Sequence, residues 1–215
     1  MVWFFIEKTV SAGRNLPGII TKETGETMKK HIRRNLCVGI LCGAMIFSSG
    51  CSLGNASEEP QTLEKGTLKV GMDLNIKPMC YLPEDTDQPA GFDVELAQAV
   101  AEGLDLNLEI IDTSQENLLK SLDADLYDCV ISAAGLAQWN QTHYSHTRSY
   151  ADLAPVKDKT EGESSYTKLA VFTKKGNSLK ENLDQELEAL LASGKVKEIS
   201  EKYFEQDISA KAEQE

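Results

Sequence analysis

Few residues of this 215-residue chain are of types and spacings that do chemistry. His143-Tyr144-Ser145-His146 sets two histidines three apart. A zinc site needs further donors, and none is near in sequence, so the pair reads as loop histidines without a metal role. Five cysteines occur: Cys37, Cys42, Cys51, Cys80 and Cys129. None forms a Cys-x-x-Cys pair, and the chain has no glycine-rich phosphate loop and no nucleophile elbow. Catalysis therefore has little support, and no cofactor is expected. The acidic run Glu84-Asp85-Thr86-Asp87 lacks calcium-loop spacing and reads as a solvated turn.

Cys51 is the cysteine with a chemical context. Met28-Lys29-Lys30-His31-Ile32-Arg33-Arg34-Asn35 is basic, the run Leu36 to Phe47 is mostly apolar, and Ser48-Ser49-Gly50-Cys51 follows. These are the three parts of a secretory signal, and the apolar run is too short to span a bilayer. The last four residues resemble a lipobox, the cleavage site of bacterial lipoproteins, with Ser48 where leucine is usual. The Cys51 thiol is the atom that would take a diacylglyceryl thioether. The expected organisation is an upstream extension over 1–27, a signal over 28–50 and a flexible tether over 51–66, rich in Ser, Asn, Glu, Pro and Gly. Translation is expected to start at Met28; an intact-mass measurement that finds residues 1–27 in the cell product contradicts this.

Composition sets the class. The formal net charge is −12, from 22 Lys+Arg against 34 Asp+Glu. Seven of the basic and three of the acidic residues fall in 1–50, which leaves 15 against 31, a net −16, over residues 51–215. Nucleic-acid binding needs clustered Lys and Arg and is not expected. Hydrophobic residues at 41% and charged residues at 26% suit a globular domain. With the signal removed and Cys51 lipidated, only Cys80 and Cys129 remain. They are expected as half-buried free thiols, although a bridge between them stays conceivable.

The elements that position any site can be read from periodicity. Thr67-Leu68-Lys69-Val70-Gly71-Met72 alternates as a strand. Pro83 to Gly91 is turn chemistry. Phe92 to Leu104 carries Val94, Ala97, Val100, Ala101 and Leu104 on one helical stripe. Leu106, Leu108 and Ile110 mark a second strand. Thr113-Ser114-Gln115-Glu116 is a capping box that opens a helix through Leu118, Leu119 and Leu122. Cys129 to Ala134 is a third strand, and Leu169 to Phe172 a fourth, expected at an edge. Ser178-Leu179-Lys180-Glu181 is a second capping box before the stripe Leu179, Leu183, Leu187, Leu190 and Leu191, which Gly194 ends. A second helix follows through Val196, Ile199 and Tyr203, and the end of the chain, 207–215, reads as a polar tail. Strand–helix alternation implies right-handed crossovers and a mostly parallel sheet. Ligands of such sheets sit at the strands' carboxyl ends, near Asp73, Asp112 to Gln115, and Ala134 to Asn140.

Four ordered stretches resemble one family, the bacterial extracellular solute-binding proteins of the amino-acid type (family 3), which feed ABC importers. They are Leu68-Lys69-Val70-Gly71-Met72-Asp73 with Pro78, Gly91-Phe92-Asp93-Val94-Glu95-Leu96-Ala97, Asp125-Leu126-Tyr127-Asp128-Cys129-Val130-Ile131-Ser132, and Leu190 to Phe204. The resemblance implies one lobe of a periplasmic-binding-protein-like type II fold over 67–206, an α/β lobe with a mostly parallel sheet flanked by helices and a C-terminal helix pair. It also implies an amino acid or similar small solute as ligand, ABC permease subunits as partners, and a location outside the cytoplasmic membrane, held by the lipid anchor. The ligand-binding positions it marks are Asp73, Ile76, Gln115, Ala133, Gly135 and Asn140. Asp73 matches the family residue that helps receive the ligand's amino group; it could equally bond nearby backbone amides.

The departures are as informative. Family members have two lobes, yet only 15 residues, 151–165, separate Tyr150 from the returning strand, and a folded lobe needs on the order of 50 or more. The family places an aromatic residue where this chain has Gln115, and a threonine and an arginine where it has Ala137 and Asn140. Arginine grips a carboxylate with two charge-assisted hydrogen bonds, whereas asparagine offers one neutral donor group. Arg148, eight residues further on, has no evident place in the pocket. The alternative expectation is a surface interaction lipoprotein that keeps the binding scaffold without the transport ligand.

Overall fold

The computed structural model describes residues 59–160 and 166–211. The expected signal, Cys51 and most of the expected tether lie outside the described residues. The described residues fall in one compact unit. Its strands are β1 (Thr67–Met72), β2 (Asn75–Ile76), β3 (Cys80–Tyr81), β4 (Asn107–Asp112), β5 (Cys129–Val130), β6 (Ser145–Asp152) and β7 (Lys168–Thr173). Its helices are α1 (Phe92–Gly103), α2 (Leu118–Asp123), α3 (Gln138–His143), α4 (Leu179–Ala192) and α5 (Lys195–Phe204), with a 3-10 segment at Ala154–Lys159.

Five strands form one sheet in the order β4-β1-β5-β7-β6, and β2 and β3 form a separate hairpin. β1 is parallel to β4 and β5; β7 is antiparallel to β5 and β6. Four strands thus point one way and β7 alone runs against them. Period-two alternation along β7 feeds both faces. Leu169 and Val171 join the larger core under α1, α4 and α5, while Ala170 and Phe172 join a smaller core with Leu118, Leu122, Tyr127 and Tyr144. β7 is an interior strand, not the edge strand the sequence suggests: Leu169 to Thr173 are all buried. The edge is β6, and Ile208–Ala210 run along part of it. Asp152 N–H donates to Ile208 O at 2.9 Å and Ala210 N–H to Tyr150 O at 2.9 Å. Ile208, assigned to the polar tail, is therefore buried.

Local chemistry explains the element ends. The first amides of α1 need acceptors. Phe92 N–H donates to Pro78 O at 3.0 Å and Asp93 N–H to Met79 O at 2.8 Å, so the β2–β3 hairpin caps the helix. Gly91 is required there: its φ is 130°, and a Cβ would collide with Met79 O. Neither expected capping box forms. α2 begins only at Leu118, because Gln115 N–H is held by Asp73 Oδ2 at 3.0 Å. α4 is capped one residue early, with Asn177 Oδ1 accepting Leu179 N–H at 2.9 Å, while Ser178 already has helical backbone angles. The α4 stripe is packed as its spacing implies. Leu179, Leu183 and Leu187 are fully buried, and such burial stabilises by about 1.5–3 kcal/mol each.

β5 is shorter than its sequence suggests. The ladder covers Cys129–Val130, and Ala133 turns left-handed at φ 46°. Ala134 O then accepts from Ala170 N–H at 3.1 Å, and Leu136 N–H donates to Lys168 O at 3.0 Å, so the chain stays beside β7 as it leaves the sheet.

Tyr127 locks β1 to α2. Its buried hydroxyl donates to Leu118 O, and its ring lies where a side chain at Gly71 would go. Gly71→Ala is expected to lower stability in urea unfolding by roughly 1–3 kcal/mol. Gly103→Ala is the control; its Cβ meets only the movable Glu186 carboxylate, and an unfolding midpoint at or slightly above the parent is expected.

Candidate functional site

The carboxyl ends of β1, β4 and β5 converge on one edge of the sheet. Asp73 sits at its centre, 9% exposed. Its Oδ1 accepts from Asn75 N–H at 3.2 Å and from the Asn75 side-chain amide at 2.8 Å, and its Oδ2 accepts from Gln115 N–H. Its own N–H donates to Ser132 Oγ at 2.9 Å. Asp73 therefore ties the exits of β1, β4 and β5 together. Three of its roughly four lone-pair sites are taken by protein amides, leaving about one for an incoming donor. Asp112 does similar work beside it, accepting from Leu74 N–H at 3.2 Å.

The other expected positions separate. Gln115 is exposed beside Asp73, with its backbone, not its side chain, in the Asp73 contact. Ala133, Gly135 and Asn140 are half-buried along the loop that leaves β5. Asn140 Nδ2 donates to Gly135 O at 3.1 Å, and Ala137 N–H to the same oxygen at 2.8 Å, so the asparagine closes its own loop. Ile76 packs inward in the β2–β3 hairpin, where it belongs to the larger core. Arg148 is remote from this edge. Its N–H reaches Asp184 Oδ1 at 2.6 Å and its Nη2 lies 2.9 Å from Glu188 Oε2, which fastens β6 to α4.

Asp93 is the residue that sequence reading passed over. It is fully buried in the first turn of α1. Its Oδ2 accepts from Ala133 N–H at 2.5 Å and its Oδ1 from the Tyr150 hydroxyl at 2.9 Å. Burial pushes its carboxyl up to about 7, against the pull of those two donors. A signal was available: Asp93, Leu96, Ala97 and Val100 stand at i, i+3, i+4 and i+7, which places the carboxyl on the apolar stripe.

Cys80 and Cys129 are free and fully buried, deeper than the expected half-burial. Cys80 Sγ donates to Asp73 O at 3.2 Å and lies 3.5 Å from Ser132 Oγ, behind the edge. Burial drives both thiols well above their ordinary range, so neither is a nucleophile near neutrality. The His143 ring stacks on Trp139 at 4.1 Å between centroids, and His146 tilts against Phe172. Among the described residues no cluster of three His, Cys, Asp or Glu side chains could hold a metal.

This one-sheet lobe, with its hairpin-capped α1 and C-terminal helix pair, can be compared with known proteins. Residues 68–206 match the model of the bacterial extracellular solute-binding proteins, family 3. The chain belongs to that family. Among its relatives, cyclohexadienyl dehydratase of Pseudomonas aeruginosa is 32% identical over 114 residues, 52% of this chain and 42% of that protein. L-cystine-binding protein TcyJ of Escherichia coli is 27% identical over 123 residues, 56% of this chain and 45% of that one. The chain thus spans less than half the length of these curated relatives. Of solved structures, the arginine-bound form of a point mutant of domain 1 from TmArgBP aligns with a TM-score of 0.52 and 25% identity, covering 59% of this chain and 93% of that one.

Asp73→Ala is expected to strip acceptors from Asn75 and Gln115 and to cost about 1–3 kcal/mol in urea unfolding. Arg148→Ala removes only half-exposed pairs and is expected to cost at most about 1 kcal/mol.

Proposed function

We propose that this family-3 chain is a one-lobe, extracytoplasmic binding lipoprotein that presents an amino acid or similar small polar solute to an ABC importer. Family membership over 68–206 carries the reading. Residues 153–167 alone join β6 to β7, which supports a lobe-one domain without a second lobe between them. The likeness to an arginine-bound single domain supports ligand capture without a closing partner. The basic and apolar stretch before Ser48-Ser49-Gly50-Cys51 supports export and lipidation at Cys51. The ligand face in this reading is the Asp73–Gln115–Asn140 edge, and the reading is of a binder rather than an enzyme, although one relative bears an enzyme's name.

Affinity should be low. The chain has asparagine where the family has an arginine, and Asn140 is committed to Gly135 O. Losing a charge-assisted hydrogen bond to a carboxylate costs about 1.5–3 kcal/mol. An open edge also encloses less than the 70–90% of ligand surface typical of closed sites. The same absence favours the second reading, a surface interaction lipoprotein that retains the scaffold.

Calorimetry of the purified chain against the common amino acids, arginine and cystine included, separates the two. Binding near millimolar, about 4 kcal/mol, is the expected outcome; a blank panel favours the interaction reading. Lipidation is tested independently. A clickable palmitate fed to an expressing bacterium should label the chain and leave Cys51→Ala unlabelled; label persisting in the variant overturns the anchor.

A further inference from the structure

We propose that Asp93 is a positioning residue of the ligand face: its buried carboxyl holds the loop leaving β5 and the distal half of β6 at once, so that a single proton governs both. The geometry carries the proposal. Ala133 is left-handed at φ 46°, and this backbone turn directs its N–H inward onto Asp93 Oδ2 rather than along the β5 ladder. The next residues, half-buried from Ala134 to Ala137 and exposed at Gln138 and Trp139, form the wall of the ligand face. The second carboxylate oxygen accepts from Tyr150, two residues before β6 ends and the crossover to β7 begins. Helix α1 itself is fixed by the hairpin carbonyls of Pro78 and Met79, so the carboxyl is a rigid post and the loop is what it positions.

Protonation changes what this post can do. As a carboxylate it accepts two charge-assisted bonds. As a carboxylic acid it must present an O–H at one oxygen, so one of the two contacts weakens or rearranges. Its surroundings set which form is present. From β6 it faces Tyr150, whose hydroxyl is raised well above its ordinary range by burial and by Asp93. From β3 it faces Cys80, whose thiol also feels Asp73 and Asp112 from the ends of β1 and β4. From α5, Phe204 contributes a ring against Phe92, while Lys202 and Tyr203 engage Glu95 instead. From α4, the Glu186 carboxylate lies beside Gly103, at the other end of α1 from Asp93. Among the described residues no cation bonds Asp93, and its switching range is near neutrality.

The inference extends the ligand-face reading, but its test needs no ligand, so the two can fail separately. In the full chain, the Ala133 amide and the Asp93 carboxyl carbon are followed by NMR from about pH 5 to 9. Both are expected to titrate together near pH 7, and the Ala133 titration is expected to vanish in Asp93→Asn. An Ala133 amide that stays flat in the parent, or that titrates unchanged in Asp93→Asn, overturns the proposal. Tyr150→Phe provides a second arm should Asp93→Asn not fold. It removes a donor that favours the charged form, so the midpoint should rise by about half a unit or more; an unmoved midpoint overturns the coupling to β6. A merely structural carboxyl would lower stability in both variants without giving Ala133 a pH profile. The folded-state value is raised, so this group's stabilising contribution is present at low pH and is lost as pH rises through about 7. Asp93→Asn should therefore flatten that part of the stability profile.

Discussion

A carboxyl group shut away from water is the constraint on which this lobe is built. Asp93 cannot be left without donors, because an unpartnered buried charge is far costlier than any single packing contact. The fold meets that demand from two different strands' surroundings: the Ala133 amide just beyond β5 and the Tyr150 hydroxyl on β6. β7 lies between those strands in the sheet, so the carboxyl spans it across the larger core. Around this one polar bridge β5 stops at two ladder residues, Ala133 takes a left-handed backbone, and Phe92 and Tyr150 stack 6.2 Å apart.

The exits of the three parallel strands are then joined by a second carboxylate. Asp73 takes amides from the β1–β2 turn and from the segment after β4, while Ser132 receives its N–H from beyond β5. Polar bonds thus replace strand ladder where the chain leaves the sheet, a general requirement for backbone at a binding edge. The consequence is functional. A side chain that supports the edge so fully keeps little capacity for a ligand, and Asn140 is engaged in the same manner with Gly135 O. What the edge would offer a solute, in the proposed reading, is mostly backbone and shape.

Local pattern made much of this legible. β1, α1 and α4 followed from apolar spacing, and the helix pair separated at Gly194 followed from its glycine. What sequence could not give was competition between partners. Thr113–Glu116 has the form of a capping box, but Asp73, 42 residues away in sequence, takes the Gln115 amide. Ser178 has the form of a cap, but Asn177 reaches the helix amide first. β7 reads as an edge strand because strand order depends on pairing across 16 to 44 residues, which no local period encodes. Arg148 could not be placed for the same reason: its partners Asp184 and Glu188 lie 36 and 40 residues on, at i and i+4 of α4.

That displacement of charge sharpens the electrostatic argument. A guanidinium on β6 is neutralised by two α4 carboxylates on the flank of the sheet, and the face at the strand ends keeps Asp73 and Asp112 without a compensating cation among their bonded partners. A chain with 34 acidic against 22 basic residues already carries a negative field. An amino acid arriving at such an edge is drawn by its ammonium group and repelled at its carboxylate, the reverse of the balance an arginine would set. Under the proposed reading, the positive end of the solute meets the favourable field, and its carboxylate falls to backbone amides or to water. The Ala133 N–H, the amide nearest in sequence to the loop wall, is already turned inward to Asp93. Under that reading the carboxylate end of a solute has its weakest partner where Asp93 holds the loop.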